Sequence, residues 1–308
     1  MIEPFRHIIV PLDGSRLAEA ALPSAVAIAT RMNARVTLLH VIEHKAPTSV
    51  HGERHLNKIL DAAAYLSEIA RRYQDTGAAI DTHVHPNEEH YVAQSIAEHA
   101  DELGVDLVAL ATHGSGGIRG LIFGSVAQQV LRRTTTPVLL VRPESDPHTP
   151  FANRAILVPL DGGADAEAAL PYAEMLANEL PSALRLVRVV PTVGTVRGPA
   201  GASATFSPVA TAGLLDIEAG QARDYLTTVM ARLPGHLDVT GEVRRGSVPD
   251  ALIEAAAMTN ADLTVVATHA KAGIESFLAG SVGATLLDRL ARPLLLIRIH
   301  DSSGAGDE

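Results

Sequence analysis

The fold is decided by a stretch that occurs twice, Ile8-Ile9-Val10-Pro11-Leu12-Asp13-Gly14 and Ile156-Leu157-Val158-Pro159-Leu160-Asp161-Gly162. Each copy is an apolar run that ends in Asp-Gly, the pattern of a strand that runs into a turn. The hexapeptide Ala-Glu-Ala-Ala-Leu-Pro follows both copies, at residues 18–23 and 166–171, at the same offset of 148 residues. Ordered matches of this kind indicate two copies of one domain.

The repeat continues to the end of each copy. Ala111-Thr112-His113 recurs as Ala267-Thr268-His269, now at an offset of 156 residues, so the second copy carries extra residues in its middle. Three prolines among residues 142–150 exclude regular structure at the junction. We therefore predict four segments: a first unit at residues 1–143, a linker at 144–153, a second unit at 154–300 and a flexible tail at 301–308.

Apolar runs and amphipathic stretches alternate through the first unit. They predict five strands and four helices, with strands at 7–12, 35–42, 79–85, 106–111 and 138–142, and helices at 15–32, 53–75, 90–103 and 125–133. Pro23 falls inside the first of these helices, where it predicts a kink. The alternation predicts an α/β fold: two tandem, doubly wound domains, each with a five-stranded parallel sheet.

The second unit departs from this scheme in one place. Residues 191–213 are rich in Pro, Gly, Ala, Ser and Thr, which predicts a long loop between its second strand and second helix.

The composition limits the function. The net charge is −10 and no dense block of Lys and Arg occurs, which argues against nucleic acid as the main partner. No apolar run approaches the roughly 18 residues that span a bilayer. The chain has no Cys, which excludes disulfides and thiolate chemistry. These features predict a cytoplasmic protein that does not enter a membrane.

A glycine-rich segment follows the fourth strand. It begins Ala111-Thr112-His113-Gly114 and, nine residues later, reaches Gly124-Ser125-Val126 at the start of a helix. Glycines after a central strand let backbone N–H groups approach phosphate oxygens, and a helix N-terminus favours anions. In doubly wound sheets, ligands bind beyond the carboxyl ends of the strands where the strand order reverses.

This segment closely resembles the nucleotide-binding signature of ATP-binding universal stress proteins: Gly, two residues, Gly, nine residues, Gly, then Ser or Thr. The resemblance extends over both units. It implies a Rossmann-like fold of the adenine nucleotide alpha hydrolase-like type, with a crevice between the first and fourth strands. Ala111 stands where the family has its first glycine.

The resemblance also implies a set of binding residues. Asp13 would lie near the ribose, the phosphates or a divalent ion, although an aspartate before Gly14 also suits a turn. The residues of the first site are Pro11, Leu12 and Asp13 beside adenosine, Val41 at adenine, and Ala111, His113, Gly114, Gly117, Gly124, Ser125 and Val126 around the phosphates. The residues of a second site are Pro159, Leu160, Asp161, Val189, His269, Gly280, Ser281 and Val282.

The second site lacks one glycine, because Ala270 replaces the counterpart of Gly114. If that position needs a positive φ, alanine is disfavoured by roughly 1 kcal/mol or more. We therefore expect the first unit to bind nucleotide more tightly.

Two pairs of histidines have spacings that suit metal binding, His51 with His55 and His83 with His85. Neither pair has an evident third ligand, so the sequence favours solvated or packed histidines and assigns no metal site to side chains beyond the possible role of Asp13.

The preferred hypothesis is a stress-response regulator that binds ATP or another adenine nucleotide together with Mg²⁺. No catalytic motif accompanies the glycines, which argues against an enzyme. The alternatives are a slow ATPase or nucleotidyl-transfer enzyme and a ligand-free scaffold. The resemblance further implies a homodimer, or an intrachain pseudo-dimer of the two units.

Overall fold

The computed structural model describes residues 2–44, 49–50, 53–54, 56–112, 125–143, 155–196, 206–269 and 281–299. The described elements of the first unit are β1 (His7–Pro11), α1 (Arg16–Glu19), α2 (Leu22–Met32), β2 (Arg35–Glu43), β3 (Ser49–Val50), β4 (Glu53–Arg54), α3 (Ile59–Arg72), a 3₁₀ turn (Gln74–Thr76), β5 (Ala79–Glu89), α4 (Val92–Glu102), β6 (Leu107–Ala111), α5 (Ser125–Arg133) and β7 (Val138–Val141). Those of the second unit are β8 (Ala155–Pro159), α6 (Ala164–Glu167), α7 (Leu170–Glu179), β9 (Ala183–Val190), α8 (Pro208–Arg232), β10 (Val239–Arg245), α9 (Val248–Met258), β11 (Leu263–His269), α10 (Ser281–Arg289) and β12 (Leu294–Ile299).

The strands of both units join into one sheet of ten strands within the described residues, in the order β10-β9-β8-β11-β12-β7-β6-β1-β2-β5. Within this sheet, all pairings inside a unit are parallel, and each unit has the order third, second, first, fourth, fifth. This confirms the doubly wound α/β prediction. The two five-stranded sheets are continuous, because β7 and β12 pair antiparallel through Leu139 and Leu295.

The core consists of small and medium aliphatic side chains on both faces of the sheet. Ile8 and Val10 of β1 point to one face, and Ile9 points to the other. All three are fully buried. Each of the two apolar layers contains residues of both units, which is consistent with a core that continues across the junction.

The predicted helix at 15–32 is two helices, α1 and α2. Ser15 caps α1, because its Oγ accepts a hydrogen bond from the Ala18 N–H at 3.2 Å. Pro23 lies in the first turn of α2, where a missing N–H costs no helical hydrogen bond. The predicted kink is therefore wrong, and the chain starts a new helix before the proline.

The predicted loop at 191–213 is partly wrong. Helix α8 begins at Pro208, so residues 208–213 are helical. Pro208 occupies the first turn, as Pro23 does in α2. Residues 191–196 form turns, and residues 197–205 lie outside the described part.

Other element boundaries differ by a few residues. Strand β5 continues to Glu89, and α3 begins only at Ile59. The short antiparallel hairpin of β3 and β4 was not predicted. The whole of the proposed linker (144–153) and the whole of the proposed tail (301–308) lie outside the described residues. Among the helices that the structure describes, none is long and apolar enough to cross a bilayer.

Candidate functional site

A pocket lies at the carboxyl ends of β1 and β6, where the strand order reverses. The two strands pair in parallel, with Ile8 opposite Leu107 and Ile9 opposite Val108. From β1 the chain crosses to β2 on one side, whereas β6 lies on the other side. The pocket has a volume of about 260 Å³. It therefore occupies the position at which doubly wound sheets bind their ligands.

Most residues of the first predicted site that lie in the described part of the chain line this pocket. The predicted residues among its walls are Pro11, Leu12, Asp13, Val41, Ala111 and Val126. Sequence reasoning missed the remaining lining residues, which are Ser15, Leu17, Ala18, Leu39, His40, Glu43, Val92, Ile96, Leu110, Thr112 and Ala127. Two of these, Val92 and Ile96, lie on α4, which the sequence predicted only as a helix. His113, Gly114, Gly117 and Gly124 lie outside the described residues.

Asp13 forms the turn that follows β1. Its Oδ1 accepts hydrogen bonds from the backbone N–H of Ser15 at 2.9 Å and from the Ser15 hydroxyl at 2.7 Å. Gly14 between them has a φ of 92°, a backbone conformation that residues with a Cβ rarely adopt. The Asp-Gly pair is thus required by the turn itself, and the turn holds the carboxylate at the pocket wall.

The N-terminal turn of α5 closes another side of the pocket. The helix begins at Ser125, and Val126 and Ala127 of its first turn line the pocket. The first N–H groups of a helix have no partner inside the helix, and the helix dipole adds positive potential there. This side of the pocket therefore favours an anion.

Buried polar contacts fix the loop between β1 and α1. The His40 imidazole, 1% exposed, places Nδ1 2.7 Å from the Leu12 carbonyl oxygen and Nε2 2.9 Å from that of Leu56. The ring thus connects the loop after β1 to the segment before α3.

Helix α1 is held to α3 by a second set of contacts. Glu19 accepts hydrogen bonds from the Tyr65 hydroxyl at 3.1 Å and from Arg72 at 2.9 Å. Burial is the main cause that raises the pKa of Tyr65, and the negative charge of Glu19 raises it further. The tyrosine therefore stays a neutral donor. In the second unit, Arg232 donates to Glu167 at 2.8 Å in the same way.

The second predicted site repeats the first turn. The Leu160 N–H donates to the Val187 carbonyl at 2.8 Å, as that of Leu12 does to Leu39. Asp161 Oδ1 accepts from the Gly163 N–H at 2.8 Å, and Gly162 has a φ of 91°. Of the other predicted residues, Pro159, Val189 and Val282 are half-buried. The structure describes only the backbone of His269 and Ser281, and Gly280 lies outside the described part.

The two units differ behind this turn. Arg188 occupies the place of His40, one residue beyond the strand position that pairs with Pro159. A side-chain carbon on Gly162 would lie 2.5 Å from an Arg188 nitrogen, so the guanidinium rests against the glycine. It also lies 5.2 Å from the centre of the Tyr225 ring, a cation–π distance. A permanent cation therefore lies behind the second turn, where the first unit has an imidazole.

The histidines of β5 have a neighbour that the sequence did not reveal. His83 and His85 both contact His99 of α4. Burial is the main cause that lowers the pKa of His83, and the neighbouring His99 and His85 lower it further. His51 and His55 lie outside the described residues.

The model of the universal stress protein family matches residues 4–142 and 152–298. The chain therefore belongs to this family, with one copy of the domain in each unit.

Individual relatives agree with this assignment. A putative universal stress protein of Staphylococcus haemolyticus is 31% identical over 149 residues, which cover 46% of this chain and 88% of the relative. Universal stress protein YxiE of Bacillus subtilis is 29% identical over 150 residues, covering 45% and 99%. Both relatives thus correspond to about half of this chain.

A solved structure is similar over both units. The universal stress protein from Archaeoglobus fulgidus superposes with a TM-score of 0.68 at 16% identity, covering 96% of this chain and 97% of that one. The likeness supports the tandem fold.

Proposed function

We propose that the crevice of the first unit binds an adenine nucleotide and that the chain acts as a nucleotide-responsive regulator. The observation that supports this is that the ends of β1, β2 and β6 and the first turn of α5 surround one pocket. It combines apolar surface, a fixed carboxylate and a helix N-terminus, which suit a base, a ribose and a phosphate respectively.

The base and ribose would occupy the part of the pocket nearest β2. Val41 of β2 and Val92 and Ile96 of α4 supply apolar surface there. The volume of about 260 Å³ is close to the lower end of small-molecule pockets, about 300–1,000 Å³. Asp13 would accept hydrogen bonds from the ribose hydroxyls or contact a cation beside the phosphates.

The phosphates would lie at the N-terminus of α5 and along the glycine-rich segment at residues 113–124. Asp13 and Glu43 are the two acidic residues among the walls, and neither favours a polyphosphate. A Mg²⁺ ion that accompanies the nucleotide would reduce this repulsion, because it commonly bridges a carboxylate and phosphate oxygens. We therefore propose Mg²⁺–ATP as the ligand.

Ligand binding would act through the segment between β6 and α5. A nucleotide that bridges β2 and α5 favours the conformation in which both elements face it, and so shifts the population toward that state. The second unit would bind more weakly, since Ala270 replaces glycine in the matching segment.

Calorimetric titration of the full chain with Mg²⁺–ATP tests this proposal, with substitutions at the two equivalent aspartates, Asp13 and Asp161. Both carboxylates accept a backbone N–H two residues later through Oδ1, and Asp13 also accepts the Ser15 hydroxyl, so an amide oxygen can keep each of these hydrogen bonds. We expect Asp13→Asn to weaken binding at least tenfold, about 1.4 kcal/mol, and Asp161→Asn to leave the tight site unchanged. Absence of binding to the unmodified chain would overturn the proposal and leave a ligand-free scaffold.

A further inference from the structure

Three histidines meet at the outer edge of the sheet in the first unit. His83 and His85 are two residues apart on the edge strand β5, so their side chains share one face of it. His99 lies on α4, which packs over that face. None of the three lines the nucleotide crevice.

The ring nitrogens lie at distances that suit a shared ion. His99 Nε2 is 3.1 Å from His83 Nε2 and 3.3 Å from His85 Nδ1. Two imidazole nitrogens bound tetrahedrally to Zn²⁺, with Zn–N bonds of about 2.0–2.1 Å, lie about 3.3 Å apart. Each of these two contacts is a hydrogen-bond distance, and each also matches the spacing of two ligands on one metal ion.

The outer nitrogens of two rings define their protons. His99 Nδ1 lies 2.8 Å from the Ser95 carbonyl oxygen, and His85 Nε2 lies 2.9 Å from a Glu89 carboxylate oxygen. Both partners only accept, so in the neutral rings these nitrogens carry the hydrogen. Lone pairs then remain on His99 Nε2 and His85 Nδ1, which face each other. Histidine ligands of metals are oriented by outer contacts of this type.

The second unit holds a cation at the equivalent place. The strand register aligns Glu242 with His83 and Arg244 with His85. Arg244 pairs there with Glu242 and, at 3.2 Å, with Glu254 of α9. Two carboxylates thus flank a guanidinium in the second unit, whereas imidazoles with a nearby carboxylate occupy the same positions in the first.

We propose that His83, His85 and His99 bind one divalent transition-metal ion, with Zn²⁺ the best match to three imidazoles, and that the ion ties β5 to α4. Among the described residues, no group of three or more His, Cys, Asp or Glu side chains could hold a metal ion in the conformation shown. One imidazole must therefore turn as the ion enters. His85, with 18% of its side chain exposed on the edge strand, is the ring that we expect to turn, and it would give up its contact with Glu89 in doing so.

The test uses the full chain without an affinity tag, treated with chelator and free of nucleotide. Co²⁺ is added while its visible absorption is followed, and Zn²⁺ binding is measured by calorimetry. We expect one ion per chain, an absorption typical of tetrahedral Co²⁺, and a rise in the unfolding temperature with Zn²⁺. His99→Ala and His85→Ala should each weaken binding at least tenfold.

His236→Ala is the matched control, because His236 is an exposed histidine of the second unit that contacts Asn178. It should bind the metal as the unmodified chain does. His85 lies on the edge strand β5, whereas His99 is buried. If His99→Ala fails to fold, His85→Ala therefore still tests the proposal. No Co²⁺ absorption in the unmodified chain, or unchanged binding in His85→Ala and His83→Ala, would overturn the proposal.

Discussion

His7 is a buried histidine whose two ring nitrogens have different neighbours. Nε2 lies 2.7 Å from the Thr37 hydroxyl, and Nδ1 lies 3.2 Å from the Leu103 carbonyl oxygen. Burial, helped by the charge of Arg35, lowers the pKa of His7 below 6.5, although the Leu103 carbonyl, Asp106 and Asp81 act in the opposite direction. The folded chain therefore holds His7 neutral at a pH where the unfolded chain protonates it.

This predicts a loss of stability on acidification. Between pH 6.5 and the lower folded pKa, the unfolded state binds more protons, so the free energy of unfolding falls as the pH falls. His7→Gln should flatten this dependence by at most one proton, about 1.4 kcal/mol per pH unit. Urea denaturation at several pH values between about 7.5 and 5.5 measures the slope. An unchanged slope in His7→Gln, equal to that of His236→Gln, would contradict the assignment.

At the scale of elements, the buried central strands were the most predictable. Strand β6 and helix α5 lie within one residue of their predicted bounds, because a continuous apolar run or a clear apolar stripe defines each. The errors fell where one residue type suits two structures. Pro23 fits both a kink and a first turn, and the Pro- and Ala-containing stretch before Leu214 fits both a loop and the start of α8.

The candidate site was predictable where a motif carried it. Pro11 to Asp13 and Ala111 were expected from the resemblance to the universal stress protein signature, and both groups reach the pocket. Val92 and Ile96 were missed because their apolar spacing on α4 is the same for a core contact as for a pocket wall. His99 was missed because it joins His83 and His85 only through the packing of a helix over a strand.

At the scale of the whole molecule, two equivalent arginines connect the units. Arg142, after β7, donates to the Asp288 carbonyl at the end of α10, and Arg298 of β12 donates to the carbonyls of Leu131 and, at 2.9 Å, Thr134 at the end of α5. Each guanidinium thus contacts the C-terminal end of a helix in the other unit, which the helix dipole favours. No local pattern in the last strands predicted this junction.

The two arginines should contribute unequally. Arg298 is 8% exposed, whereas Arg142 is half-buried. Arg298→Ala removes charged hydrogen bonds from buried carbonyls and should lower the free energy of unfolding by about 2–3 kcal/mol. Arg142→Ala should cost about 1 kcal/mol, because water can replace the lost donor. Urea denaturation compares them: equal losses would contradict the difference in burial, and negligible losses would show that the arginines do not help to hold the units together.

The central proposal is that the crevice of the first unit is the tight adenine-nucleotide site of the chain. Ala111 ends β6 at the pocket wall, and Ala267 is its equivalent in the second unit. Leucine at position 111 would fill the crevice, whereas leucine at position 267 makes the same change away from it. The decisive measurement is the calorimetric stoichiometry of Mg²⁺–ATP on the unmodified chain, Ala111→Leu and Ala267→Leu, with circular dichroism to verify folding. We predict one tight site that Ala111→Leu abolishes and Ala267→Leu retains; tight binding that survives Ala111→Leu, or is lost in Ala267→Leu, would contradict the claim.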